Sequence, residues 1–236
     1  YYRPERAILL IVGDINAQAL IPQISEQFSD WKGRGQPGGD PKPVMVKPPS
    51  PDVAMLVTAG APDTAVTLRW FEPYQERTPT KAEVRKNLVE QLGAGIVARR
   101  MQGINEAAGK PAAFIGSASP SAITHVWNGE MASSGRVTDV AKTIDVMVKA
   151  HRQAIEFGVT QEELDRQISL RLDASKREAE RGRTGTSVSL VETALDYIDA
   201  DVPFVSLQQS YALLLEQVPT ITLAEVNAAL KARFTD

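Results

Sequence analysis

The stretch from Thr78 to Ala122 constrains this chain most. Thr80-Lys81-Ala82-Glu83 is a capping box, in which a hydroxyl and a carboxylate satisfy the first free amides of a helix. Apolar residues then recur at Val84, Leu88, Leu92 and Ile96, with Val89, Val97 and Met101 beside them. That spacing is one broad apolar face on a helix of about six turns. Gly93 and Gly95 fall inside it, where each glycine costs roughly 0.5–1 kcal/mol relative to alanine. Either another backbone comes close there or the helix breaks. Pro111 to Ser117 then reads as a strand and Ile123 to Ala132 as a second. A long buried helix feeding two adjacent strands is half of a two-layer α/β sandwich.

The flanking sequence extends that pattern. Ala7 to Val12 is continuously apolar, as for a strand buried on both faces. Asn16 can cap a following helix with the stripe Leu20, Ile24, Phe28, and Pro22 lies near its start. Lys32 to Asp52 is rich in Gly and Pro and reads as an exposed loop. Val53–Ala59 and Ala65–Phe71 read as strands, the second turning Val66, Leu68 and Trp70 inward. A helix with Val137, Ala141, Ile144, Val148 and Ile155 on one side stops at Gly158. Thr160-Gln161-Glu162-Glu163 starts another, with Leu164, Ile168 and Leu172 facing in. Further capping boxes at Ser206–Gln209 and Thr222–Glu225 open short helices, and a helix from Ser187 turns Leu190, Ala194, Tyr197 and Ile198 to one side. The expected fold is α+β: a two-layer sandwich, mostly antiparallel sheet with helices on one face, plus a C-terminal helical extension. Residues 1–181 would form the sandwich and 182–236 the extension. The charged run Lys176 to Arg183 reads as a solvated helix end and connector rather than a basic contact arm.

Composition narrows the chemistry. A net charge of −3 gives no electrostatic footprint for nucleic acid or an acidic membrane surface. No apolar run approaches the length of a membrane span. Cysteine is absent, which removes disulfides, thiolate zinc sites and cysteine nucleophiles from this chain. The two histidines, His125 and His151, stand far apart, so no zinc-binding histidine pair at helical spacing is present. Both read as ordinary surface or edge histidines. The start at Tyr1, almost at once in a strand, suggests a piece of a longer polypeptide.

Four segments in order resemble one family. They are Tyr2-Arg3-Pro4-Glu5-Arg6 with the apolar run to Gly13-Asp14-Ile15, Phe28-Ser29-Asp30-Trp31, the segment Ala98 to Glu106, and Gly158-Val159-Thr160-Gln161-Glu162-Glu163-Leu164. Together they resemble the second, non-zinc-binding domain of a pitrilysin/insulinase-type (inverzincin) zinc metallopeptidase, including the processing peptidases and the large periplasmic bacterial members. The resemblance implies a processing-peptidase-like sandwich. It also implies that the His-x-x-Glu-His zinc site lies on the preceding domain, so this chain carries no catalytic residue, no metal ligand and no cofactor of its own, and should be inactive alone. Implied partners are that zinc-binding domain, the second homologous half of the same polypeptide, and a peptide substrate gripped inside a closed chamber. A periplasmic or otherwise exported location follows from the same likeness.

Some relatives anchor a substrate end by adding it as a strand to an edge of this domain. The corresponding candidates for peptide contact are Gly93, Gly95, Phe114, Ile115 and Gly116. The competing reading makes Phe114 and Ile115 core residues and the glycines points of helix–sheet contact. Two alternatives to the peptidase reading stand beside it: a scaffold or assembly domain of a peptidase-like protein without proteolytic activity, and a free-standing peptide-binding module.

Overall fold

A computed structural model describes residues 3–36, 63–73, 80–107, 115–123, 126–181, 186–199 and 203–235. After a 3₁₀ turn at Pro4–Arg6 come α1 (Ala17–Phe28), β1 (Asp63–Pro73), α2 (Lys81–Ala107), β2 (Ile115–Ile123), β3 (Val126–Arg136), α3 (Val140–Phe157), α4 (Gln161–Arg181), α5 (Ser187–Asp199), α6 (Leu207–Gln217) and α7 (Leu223–Phe234).

Local chemistry sets the helix starts. Asn16 Oδ1 accepts from the Gln18 and Ala19 N–H groups at 3.1 and 3.3 Å, and Thr80 Oγ1 accepts from the Glu83 N–H at 3.2 Å. Reciprocal capping boxes form at Thr160/Glu163, Ser206/Gln209 and Thr222/Glu225. Gly158 adopts φ 70°, the left-handed region open to glycine, and ends α3. The α4 box then follows two residues later.

The three strands form an antiparallel ladder in the order β1-β3-β2. Its register sets Leu68 opposite Met131 and Arg69 opposite Glu130. Val66, Leu68 and Trp70 pack against a core that holds Met131 with Leu92, Ile96 and Met101 of α2, Met147 of α3, Leu164 of α4 and Val226, Leu230 and Phe234 of α7. Alternation therefore turns one sheet face to the helices and, among the described residues, leaves the other without them. The fold is α+β, two-layered, with helices on one face of an antiparallel sheet and a helical C-terminal part.

Several local expectations need correction. Strands β2 and β3 run later than the apolar runs suggest. The small and polar stretch Ser117–Ala122 belongs to β2 because ladder bonds to β3, rather than side-chain propensity, hold it. Pro120 is accommodated opposite Gly129, and β2 has no second ladder neighbour among the described residues, the setting in which a strand tolerates proline. Ala7–Val12 joins no ladder among the described residues, and Ile8 and Leu9 are 68% and 56% exposed. An apolar run becomes a strand only where a neighbouring edge supplies its hydrogen bonds. Helix α2 runs unbroken through both glycines, but its buried face begins at Leu88, one turn beyond exposed Val84. In α3 the buried face is Thr143, Val146, Met147, Ala150 and Ala154, rotated from the Ile144 stripe. Small and flexible side chains there let α3 lie close to α2, β1 and β3, and the bulkier Ile144 is left outside. The expected strand Val53–Ala59 and the loop after Gln36 lie outside the described residues.

Contacts divide the chain into two units, Tyr1–Lys42 with Arg177–Gln209, and Pro43–Lys176 with Ser210–Asp236. In the first, the Arg3 guanidinium donates to the Arg34 and Gly35 carbonyls at 3.0 Å and to Glu5 at 2.8 Å, fastening the segment after α1 to the 3₁₀ turn. Phe28 and Trp31 pack against each other with their rings tilted by 44° and centroids 5.5 Å apart. The second unit holds the sheet, its helices and the core.

Candidate functional site

The uncovered sheet face is built by simple alternation. Because Val66, Leu68 and Trp70 turn toward the helices, Ala65, Thr67, Arg69 and Phe71 turn the other way, and all four are exposed. On β3, Glu130, Ala132 and Ser134 share that face opposite them. The Arg69 Nε donates to Glu130 Oε2 at 2.8 Å across the two strands. Small residues at Ala65, Thr67, Ala132 and Ser134 make the adjoining surface low, and Phe71 (36% exposed) rises at the other side of the pair. Such a face can receive an extended chain. Its ion pair and aromatic ring lie two residues apart, the spacing of side chains on one side of a strand.

On the helix side, α2 and α7 leave a cavity of about 390 Å³ between them. Ala82, Val89, Ala228, Ala229 and Ala232 line it, with Arg85–Glu225 and Glu90–Arg233 as its ion pairs. Glu90 and Arg233 are 7% and 6% exposed and 2.9 Å apart. The Arg85 guanidinium and the Thr222 cap hold the Glu225 carboxyl down at about 2. Arg100 donates two hydrogen bonds to Glu163 and one to the Gly158 carbonyl, which holds the Glu163 carboxyl below the usual range. These perturbed carboxylates are caps and clasps, each engaged by an arginine.

The residues singled out from sequence are scattered. A Cβ on Gly93 would sit 2.8 Å from Leu230 Cγ of α7, and one on Gly95 would collide with the Gln167 amide of α4. Both glycines thus admit a neighbouring helix side chain. Ile115 and Gly116 open β2, paired with Ser134 and Ser133. Phe114 lies outside the described residues, as does His125. His151 stacks on Trp70 with centroids 4.9 Å apart, and its Nε2 lies 2.7 Å from the Phe234 carbonyl. Among the described residues no group of three or more His, Asp or Glu could hold a metal ion. No helix among them is long and apolar enough to cross a membrane. The Arg69–Glu130 pair was not singled out from sequence. The alternation that exposes Arg69 was legible there, but its partner depends on strand register.

This architecture is that of the insulinase-type proteases. The chain is similar to a predicted insulinase family protease from Yersinia pestis, at 18% identity over 94% of this chain and 48% of that one, with a TM-score of 0.76. It is similar to the first half of the periplasmic protease PqqL from Escherichia coli, at 13% identity over 94% and 47%, with a TM-score of 0.75. The peptidase M16 inactive domain from Pseudomonas fluorescens matches at 14% identity over 94% and 49%, with a TM-score of 0.56. These likenesses concern the fold, and the chain spans about half the length of each. No curated protein matches the chain in sequence. The chain belongs to the peptidase M16 inactive-domain family, whose model matches residues 1–170. It is accordingly a non-catalytic domain of a peptidase M16-like protein.

Proposed function

We propose that this chain is a substrate-gripping wall of a zinc-dependent metalloendopeptidase that degrades peptides in a closed chamber. The zinc and the catalytic groups belong to a preceding domain of the parent protein, and a second homologous half closes the chamber. The observation that carries this reading is the sheet face that no helix among the described residues covers, with Ala65, Thr67, Arg69 and Phe71 all exposed while Val66, Leu68 and Trp70 pack against the core on the other side. A peptide end adding to β2 at Ile115 and Gly116, which Phe114 precedes in sequence, is a second mode of grip, supported by the absence of a further ladder neighbour for β2 among the described residues. Gly93 and Gly95 would serve it indirectly, by seating α2, the helix packed against β2, on α7 and α4. Export to the periplasm is proposed by analogy with PqqL, which is described as a periplasmic protease.

The test uses the purified chain with unstructured peptides and added zinc. The expected result is saturable peptide binding by calorimetry, with every peptide intact by mass spectrometry after prolonged incubation. Chelator-sensitive cleavage, or no binding of any peptide, would overturn the reading.

A further inference from the structure

The uncovered face carries an ion pair whose two members are unequally available. Arg69 is 41% exposed and Glu130 21%. Glu130 engages Arg69 at Nε. Among the described residues the two terminal guanidinium nitrogens have no acceptor. That leaves the Nη1–Nη2 edge of the fork, the geometry that grasps a carboxylate through two parallel hydrogen bonds. Glu130 fixes the plane of the fork in advance, so little rotamer freedom remains to be lost when a ligand arrives. The more buried Glu130 oxygens are the poorer target for a cationic side chain.

The neighbours of Arg69 on the same face define the rest of the ligand. Two residues along β1 on one side is Phe71, and two residues on the other is Thr67, with Ala132 opposite it. An extended peptide repeats its side chains at about the same spacing, roughly 6.6–6.8 Å for every second residue. We infer that this face selects extended peptides bearing an acidic side chain over Arg69 with an apolar side chain two positions away against Phe71. This inference rests on the peptide-gripping reading above and adds a substrate class to it.

The experiment measures fluorescence anisotropy of the full chain with three labelled peptides. They share an extended sequence with leucine two positions from a central residue, which is Glu, Gln or Lys. The expected result is binding of all three, the Glu peptide about fivefold tighter than the Gln peptide and the Lys peptide weakest. The preference should shrink in high salt, since the contact is partly exposed. Arg69→Gln should bring the Glu and Gln peptides to equal affinity while the far-ultraviolet circular dichroism spectrum and urea midpoint stay close to wild type, a loss of preference that general loss of structure would not produce. Arg69→Lys, which keeps the charge and loses the fork, should retain only part of the preference. Equal binding of the three peptides by the wild-type chain, or a full preference in Arg69→Gln, would overturn the inference and leave peptide gripping in place. Failure of all three to bind would overturn the gripping reading itself.

Discussion

Replacing Gly93 by alanine tests whether α2 and α7 meet as described. In isolation the change favours the helix by about 0.5–1 kcal/mol. Here the new methyl would stand 2.8 Å from Leu230 Cγ and 3.0 Å from Cδ2, closer than carbon atoms pack. Leu230 is 2% exposed within the core and has little room to withdraw. Overpacking of this kind costs about 1–3 kcal/mol, so the net effect should be a destabilisation of about 1 kcal/mol. Leu230→Ala by itself should cost about 2–5 kcal/mol through the void it opens. In that background the clash is gone, and Gly93→Ala should now stabilise by about 0.5–1 kcal/mol. The sign reversal corresponds to a coupling of about 1.5–2 kcal/mol, large enough to measure in a double-mutant cycle. Urea denaturation followed by far-ultraviolet circular dichroism supplies the four stabilities. If Gly93→Ala stabilises both backgrounds equally, Leu230 does not fill the space over Gly93 and the helix contact is misassigned.

Two further outcomes follow from the ion pairs. Glu90→Gln, which strips the charge from a carboxylate 2.9 Å from buried Arg233, should cost about 3–5 kcal/mol in urea denaturation, and adding Arg233→Met should recover much of it; a cost under about 1 kcal/mol would mean the pair is solvated. The Glu225 carboxyl, lowered from 4.5 to about 2 chiefly by Arg85, contributes stability that is present above about pH 4.5 and is lost as pH falls toward 2. Since this carboxylate is largely solvated, screening reduces the contribution to about 1 kcal/mol or less. Glu163, lowered by Arg100, acts in the same direction. Comparing denaturation at pH 5 and pH 3, Glu225→Gln should flatten the acid loss, and an unchanged slope in the variant would remove Glu225 from the explanation.

The site was less legible than the fold. Arg69 could be placed on an outward face from the Val66, Leu68, Trp70 alternation, yet nothing adjacent in sequence marks Glu130, 61 residues away, as its partner. The apolar run Ala7–Val12 and the small-residue stretch in β2 mislead in opposite directions, because a ladder partner decides whether either is a strand. The resemblance to the inactive half-domain of the insulinase-type peptidases came from segments spread along the chain, and the family match over residues 1–170 agrees with it.

What the sequence determined by itself is the set of features whose physics closes within a turn or two. The caps at Asn16, Thr80, Thr160, Ser206 and Thr222, the stop at Gly158, and the inward stripe of α2 from Leu88 to Met101 depend on residues three or four apart. Tertiary structure decided which stripe of α3 is buried, where β2 and β3 begin, what fills the space over Gly93 and Gly95, and which carboxylate meets which arginine. Those outcomes depend on the shape and charge of surfaces distant in sequence, 143 residues apart for Glu90 and Arg233, and no local propensity encodes them.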